Sequence, residues 1–346
     1  MPHVAAARLS RRNLLAAGGL VGLGALAAAC GSGTAKAEPG AGAGSEAASG
    51  PWSFTDDRKQ KINLATRPSR VVAYTGTAAA LYDFGVRDQL VGVFGPTTLK
   101  DGSPDPQAGD LDIAKLTVLG NAWGEFNIEK YAALRPELLV TDMWQPDALW
   151  YVPDDSKAKI LALAPTAALN VASVPLPDPL RRHAELAAAL GADLNAKQVT
   201  DAKARFEAAA ETLRAAAKAN GGIKVMAASA SADLLYISDP AVYPDLSYFR
   251  SLGVEFITPD KVEGGFFENL SWEKADKYPA DLIMLDNRTA TLQPADLTGK
   301  PAWTDLPAVK AGQVTPWLSE PRFSYAGCAP LVERLATALR DARKAR

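Results

Sequence analysis

The stretch Glu129-Lys130-Tyr131-Ala132-Ala133-Leu134-Arg135-Pro136-Glu137-Leu138-Leu139-Val140 has an echo in the second half of the chain, Glu273-Lys274-Ala275-Asp276-Lys277-Tyr278-Pro279-Ala280-Asp281-Leu282-Ile283-Met284. In each copy Glu-Lys opens a short helix, an acid stands eight positions after the glutamate, and an apolar run of strand character follows the acid. A short helix feeding a buried strand is a unit of α/β architecture. Two copies predict two similar α/β lobes, although one long α/β domain can also repeat such a pattern by chance.

Outward from these units the same alternation continues. Arg70–Tyr74, Leu90–Phe94, Leu138–Thr141 and Ala167–Val171 read as strands, with helices over Thr77–Phe84 and Ile128–Leu134. In the second half Lys224–Ala228, Leu234–Ile237, Leu282–Leu285 and the region of Val314 read as strands, with helices over Leu246–Leu252 and Ala329–Lys344. Between the halves, Ala196–Ala219 carries apolar Val199, Phe206, Ala210 and Leu213 among charges and stops at Gly221-Gly222. A helix of that length reaches roughly 35 Å, enough to act as a rigid spine. The expected fold is therefore α/β, with two Rossmann-like lobes bridged by one long helix. Its divisions are an N-terminal lobe over 52–190, a bridging helix over 191–221 and a C-terminal lobe over 222–346.

The amino end reads as an export label. Ser10-Arg11-Arg12-Asn13-Leu14-Leu15 puts paired arginines before an uncharged run, the form of a Tat signal. The run is short and rich in Gly and Ala, unlike a spanning helix. It ends in Leu26-Ala27-Ala28-Ala29-Cys30, which resembles a bacterial lipobox with Cys30 as the lipidated first residue of the mature chain. Residues 1–29 are then the signal. Residues 30–51, rich in Gly, Ala and Ser, form a flexible tether. The expected location is the outer face of the cytoplasmic membrane, held there by lipid.

Loss of Arg8, Arg11 and Arg12 takes the formal charge from −2 to −5, and no basic stripe remains for nucleic acid. Of two cysteines, Cys328 is left as a lone thiol, expected to be a buried small hydrophobe, so no disulfide framework is expected. His183 alone remains after the signal, which argues against a histidine-based metal site. There is no G-x-S-x-G elbow, no P-loop and no G-x-G-x-x-G after a strand. A hydrolase is the weaker alternative, with His183 as its only histidine base.

With Pro68-Ser69-Arg70-Val71-Val72-Ala73, Leu81-Tyr82-Asp83-Phe84-Gly85-Val86, Leu163-Ala164-Pro165-Thr166 and Leu270-Ser271-Trp272-Glu273 added to the two echoing units, the chain resembles the periplasmic-binding-protein family for ferric siderophores, cobalamin and haem, over about Asn63 to Ala342. The twin-arginine start and alanine-rich composition look like those of a high-GC actinobacterium. The resemblance implies a monomeric substrate-binding lipoprotein that hands its ligand to an ABC permease dimer. Domain motion should be modest, because a single helix resists hinge closure. Family members carry an exposed glutamate on each lobe that pairs with permease arginines, and Glu129 and Glu273 match those positions. Without a partner, each still reads as a first-turn acid, after Asn127 and Ser271 as caps, worth about 0.3–1 kcal/mol to its helix.

Ligands of such folds sit between lobes, beyond strand ends. That rule selects Tyr74, Thr75, Trp123, Trp144, Trp150 and Tyr151 in the first half. In the second it selects Tyr236, Phe267, Trp317, Arg322 and Tyr325. Loop aromatics give large contact area at little entropic cost, although any single one also reads as packing beneath a loop. No cofactor and no protein-bound metal are expected, since a siderophore fills iron's coordination sphere itself. Hydroxamate binders of the family use an arginine and a phenol at the iron centre. Their arginine falls at about Ala122 or Trp123 here, where this chain has none, so Arg322 with Tyr325 is expected to replace it through a forked hydrogen bond. One convincing cleft arginine suits a ferrioxamine-like hydroxamate better than a strongly anionic catecholate. Haem stays open through Tyr325 or Tyr74 as axial ligand, as does cobalamin.

Overall fold

The computed structural model describes residues 50–345. The export signal, Cys30 and nearly all of the expected tether lie outside the described residues. The described residues form one compact unit carrying two large sheets, so the expected lobes are two halves of a single body.

The first half opens with a hairpin that the sequence reading missed, β1 (Trp52–Thr55) against β2 (Lys61–Leu64). Its Trp52 indole donates to the Ala189 carbonyl at 2.8 Å, tying it to the helix below. A parallel sheet follows, built from β3 (Val71–Tyr74), β4 (Leu90–Phe94), β5 (Thr117–Val118), β6 (Leu138–Met143) and β7 (Thr166–Asn170), in the order β5-β4-β3-β6-β7. Helices α1 (Thr75–Asp83), α2 (Ile128–Ala133), α3 (Lys157–Leu161) and α4 (Pro177–Ala189) connect its strands and follow the last. The central strands β3 and β6 are buried along their whole length, which is why they read as continuous apolar runs rather than alternating ones. The order reverses between β3 and β6, so their carboxyl ends splay apart and leave a crevice.

Helix α5 (Lys197–Ala219) is the spine. Val199 joins the core of the first half, while Phe206, Ala209, Ala210, Leu213 and Ala217 join that of the second. The second sheet holds β8 (Lys224–Ala230), β9 (Leu234–Ser238), β10 (Glu255–Phe256), β11 (Phe267–Ser271), β12 (Leu282–Asp286) and β13 (Val314–Trp317). Its order is β11-β9-β8-β12-β13, with β10 also paired to β8 and β9 antiparallel to both its neighbours. The helices here are α6 (Pro244–Ser251), three single turns α7 (Pro294–Leu297), α8 (Pro301–Thr304) and α9 (Pro307–Lys310), and α10 (Tyr325–Asp341), which lies along α5.

The sequence echo has a mechanical cause. Glu137 and Asp281 each stand just before the strand beside the middle one of their sheet, β6 next to β3 and β12 next to β8. Each donates its backbone N–H at 2.8 Å to a residue at the start of the neighbouring strand, Glu137 to the carbonyl of Arg70 just before β3 and Asp281 to that of Lys224, which opens β8. Their carboxylates return the contact, accepting from Ser69 N at 2.6 Å and Lys224 N at 2.8 Å. Partial burial works against each charge, yet these backbone donors outweigh it and hold both acids below the usual carboxylate range. The helical half of the echo is less exact. Asn127 caps α2 by accepting from Lys130 N at 2.8 Å. Glu273, by contrast, sits in a single 3-10 turn, Trp272–Lys274, and the Ser271 side chain makes no cap. Ser271 is the last residue of β11, whose pairing to β9 fixes its backbone before the turn begins.

Candidate binding cleft

Tyr74 ends β3 at the point where the two central strands part. Gly95, at φ +97°, makes room for its ring, since a Cβ there would stand 2.8 Å from the ring edge. Tyr151 stacks on Tyr74 with centroids 5.2 Å apart. It does so from a left-handed backbone, φ 59°, a conformation that costs a bulky residue about 1 kcal/mol or more and is tolerated where a site requires it. Trp123, 64% exposed, stands edge-on to Trp150 at 4.8 Å and to Tyr151 at 5.0 Å. From Trp150 the aromatic contacts run inward to Trp144 at 6.1 Å, on to Tyr243 at 5.7 Å, and then to Trp317 at 5.1 Å. A path of rings thus leads from an open mouth in the first half into the core of the second.

A polar cluster crosses between the halves beneath this wall. Glu320, buried on the segment after β13, accepts from Tyr74 Oη at 2.9 Å, Gln107 Nε2 at 3.1 Å and Trp150 Nε1 at 3.1 Å. Its other oxygen pairs with Arg288, which is also held by Asp286 through Nη2 at 2.7 Å and Nε at 2.9 Å. Ser229 Oγ supports Asp286 at 2.9 Å. Burial alone would weaken the Arg288 charge, but Glu320 and Asp286 overcome it and fix the guanidinium as a cation. Burial, then the Glu320 charge, push the Tyr74 phenol well above its ordinary value, so it stays a donor. Thr289 adds a second crossing bond, to Asp105. Two cavities open over this floor, one of about 320 Å³ against Trp123 and Tyr151, the other of about 460 Å³ against Arg288. They share Leu99, Lys100 and Thr289. Together they fall in the size range of small-molecule sites.

The structure gathers Tyr74, Trp123, Trp150 and Tyr151 into one wall, with Trp144 behind Trp150. Thr75 is buried and donates to the Phe94 carbonyl at 3.0 Å, which places it in the strand-to-helix turn rather than on the cleft surface. Trp317 is buried as well, donating to Asp245 at 2.7 Å. Tyr236 and Phe267 face each other at 5.0 Å on β9 and the edge strand β11, and neither lines the two cavities. Phe266 packs against Tyr243 instead.

The expected Arg322–Tyr325 donor pair takes a different position. Arg322 pairs with Asp83 and Asp110 of the first half, each at 3.1 Å. Gly109 is required there, because a Cβ would overlap the guanidinium. Tyr325 opens α10 and packs between Phe84 at 5.9 Å and Phe206 at 5.8 Å, at the junction of the halves. The arginine that faces the cleft is Arg288. Gln107, Glu320 and Asp286 complete its surroundings and were not singled out from the sequence. Of these, only Asp286 carried a local signal, as the residue ending a strand beside the crevice.

Glu129 and Glu273 are both exposed, and neither makes an ion pair among the described residues. Cys328 is buried, and burial pushes its thiol far up. His183 is buried with Nδ1 2.8 Å from the Pro179 carbonyl and Nε2 3.1 Å from Asp142, so both ring nitrogens are occupied. Among the described residues no three His, Cys, Asp or Glu side chains gather to hold a metal ion, and no helix is long and apolar enough to cross a membrane.

The model of a family described as periplasmic binding protein matches residues 71–321. Among solved structures, DesE, a ferric-siderophore receptor protein from Streptomyces coelicolor, is 54% identical, with 86% of this chain and 100% of that chain covered and a TM-score of 0.83. The petrobactin-binding protein YclQ from Bacillus subtilis is 16% identical, with 84% and 99% covered and a TM-score of 0.62. The siderophore periplasmic binding protein from the fuscachelin gene cluster of Thermobifida fusca is 20% identical, with 79% and 96% covered and a TM-score of 0.54. The last two likenesses speak to the fold alone. Among curated protein sequences none matches the chain.

Proposed function

Because the chain belongs to the periplasmic binding protein family, it is a binding component of transport rather than an enzyme, and we propose that it captures a ferric hydroxamate siderophore of the ferrioxamine type between its two halves and delivers it to an ABC importer. The full-length likeness to a ferric-siderophore receptor supports the siderophore. The observation that carries the hydroxamate is the charge of the cleft. Lys100 and Arg288 are its cations, against the five carboxylates of Asp101, Asp105, Asp286, Asp296 and Glu320. A ferric catecholate brings about three negative charges and would meet net repulsion here. A ferric trihydroxamate is neutral at its centre, and a cationic tail on it would be attracted. The indole and phenol wall of Trp123, Trp150 and Tyr151 supplies apolar contact.

The same reading places the protein outside the cytoplasmic membrane as a monomer held by lipid on Cys30. Glu129 and Glu273 dock it to the permease dimer, and their exposure, with no ion pair to either among the described residues, suits that role. Haem gains no support from Tyr325, which is packed at the junction of the halves rather than in the cleft.

Titration of tryptophan fluorescence with ferrioxamine B, a ferric catecholate, haem and cobalamin tests the proposal. Quenching by the hydroxamate below about micromolar, tighter than roughly −8 kcal/mol, is expected. No such quenching by any hydroxamate discards it.

A further inference from the structure

Four donors from separate parts of the chain, Tyr74 Oη, Gln107 Nε2, Trp150 Nε1 and the Arg288 guanidinium, converge on one carboxylate, that of Glu320. Three come from the first half and one from the second. Such convergence on anionic oxygen is what a site for an oxygen-rich ligand needs. Through Arg288 the cluster borders the cavity of about 460 Å³, and through Trp150 it stands behind Trp123, which lines the other. Here the oxygen is supplied by the protein's own side chain.

We propose that Glu320 is a built-in stand-in for the ligand. In the empty protein its carboxylate holds the four donors and clips the halves together. On binding, the negatively polarised oxygens around the ligand's metal take over some of these donors, and Glu320 gives way. This rests on the reading of the cleft as a ferric-chelate site and goes beyond it by naming the group the chelate must displace. Two features make the exchange feasible. Arg288 keeps Asp286 as a second carboxylate partner through two bonds at 2.7 and 2.9 Å, so the guanidinium is never left bare. Tyr74, Gln107 and Trp150 present neutral donors, which serve carboxylate and hydroxamate oxygens alike.

A site already filled by its own competitor binds more weakly by the fraction of time it is vacant. Glu320→Gln keeps the shape but removes the charge that holds Arg288, and should tighten ferrioxamine B roughly tenfold, with a faster association rate. Glu320→Ala should do so at least as strongly. Melting curves of both variants confirm folding before titration. Arg322→Ala, which cuts the crossing ion pairs to Asp83 and Asp110 outside both cavities, is the control for mere loosening of the halves. If the wild type binds no ferric chelate, the functional reading fails. If the wild type binds and both Glu320 variants bind no tighter, this inference fails while that reading survives. It also fails if Arg322→Ala tightens binding as much as Glu320→Gln, since then loosening of the halves and not the vacated receptor is responsible.

Discussion

The indole nitrogen of Trp317 donates to Asp245 Oδ2 across 2.7 Å, in a region closed to water. Among the described residues the other oxygen of Asp245 makes no hydrogen bond of good geometry. Burial raises this acid to about 7, with the Trp317 hydrogen bond resisting the shift.

The sign of the resulting pH effect follows by linkage. The folded acid holds its proton up to about 7, while the unfolded one loses it near 3.9. The associated stability is fully present below about 4 and is lost as pH rises through about 7, a swing on the order of 4 kcal/mol. Asp245→Asn, which mimics the protonated acid, should flatten this part of the stability curve and melt higher than the wild type at pH 8. Tryptophan emission should titrate near pH 7 in the wild type and not in the variant. A wild-type spectrum flat from pH 5 to 9 would count against it.

Trp123 offers an open face and supports little of the fold. Trp123→Ala should leave the melting temperature within a few degrees, as surface changes do, yet weaken ferrioxamine B by about tenfold through lost aromatic contact. Calorimetry on both proteins reads the two effects separately. Unchanged affinity would remove Trp123 from the ligand wall.

Arg322 is expected to behave in the opposite way. Asp83 is largely buried, and burial raises it more than Arg322 and Ser324 lower it. Arg322→Ala strands that acid and should cost about 3–5 kcal/mol of stability. Chelate affinity at a temperature where the variant is folded should hardly change. A stable variant with lost affinity would return Arg322 to the cleft.

Charge reversal at the rim tests docking. Glu129→Lys and Glu273→Lys should each leave chelate affinity intact and lower uptake by cells carrying the importer, and the double variant should nearly abolish it. Rim charges govern encounter and register more than affinity, so the loss should be greatest at low ionic strength and shrink as salt is added. Normal uptake by the double variant would refute the docking role.

Much of the fold was legible because buried parallel strands leave unbroken apolar runs. Leu90–Phe94 was read to the residue, and the spine to within one. The hairpin at Trp52–Leu64 and the strand Phe267–Ser271 were missed because charged and polar residues interrupt them. Glu268, in the latter, is buried only because Lys277 and Tyr278 reach it from a later turn. In the cleft, strand ends pointed to Tyr74, Trp123, Trp150 and Tyr151, since position along a strand is local information. The Glu320 cluster joins residues up to 246 apart in sequence, and no local pattern records such a pairing. Arg322 was singled out as the cleft arginine, while Arg288, which also lies just beyond a strand, was not considered. Which arginine turns inward depends on Asp83 and Asp286, chosen by the folded chain.

Helix α5 is gripped at one end by the core around Val199 and over the rest by the core around Phe206 and Leu213. Bending it would tear packing on one side or the other, so it works as a caliper with its jaws set. An importer that measured the span from Glu129 to Glu273 would find nearly the same value on a vacant carrier as on a laden one. News of cargo must then travel by a finer channel, and vacant carriers should compete with laden ones for the same berth.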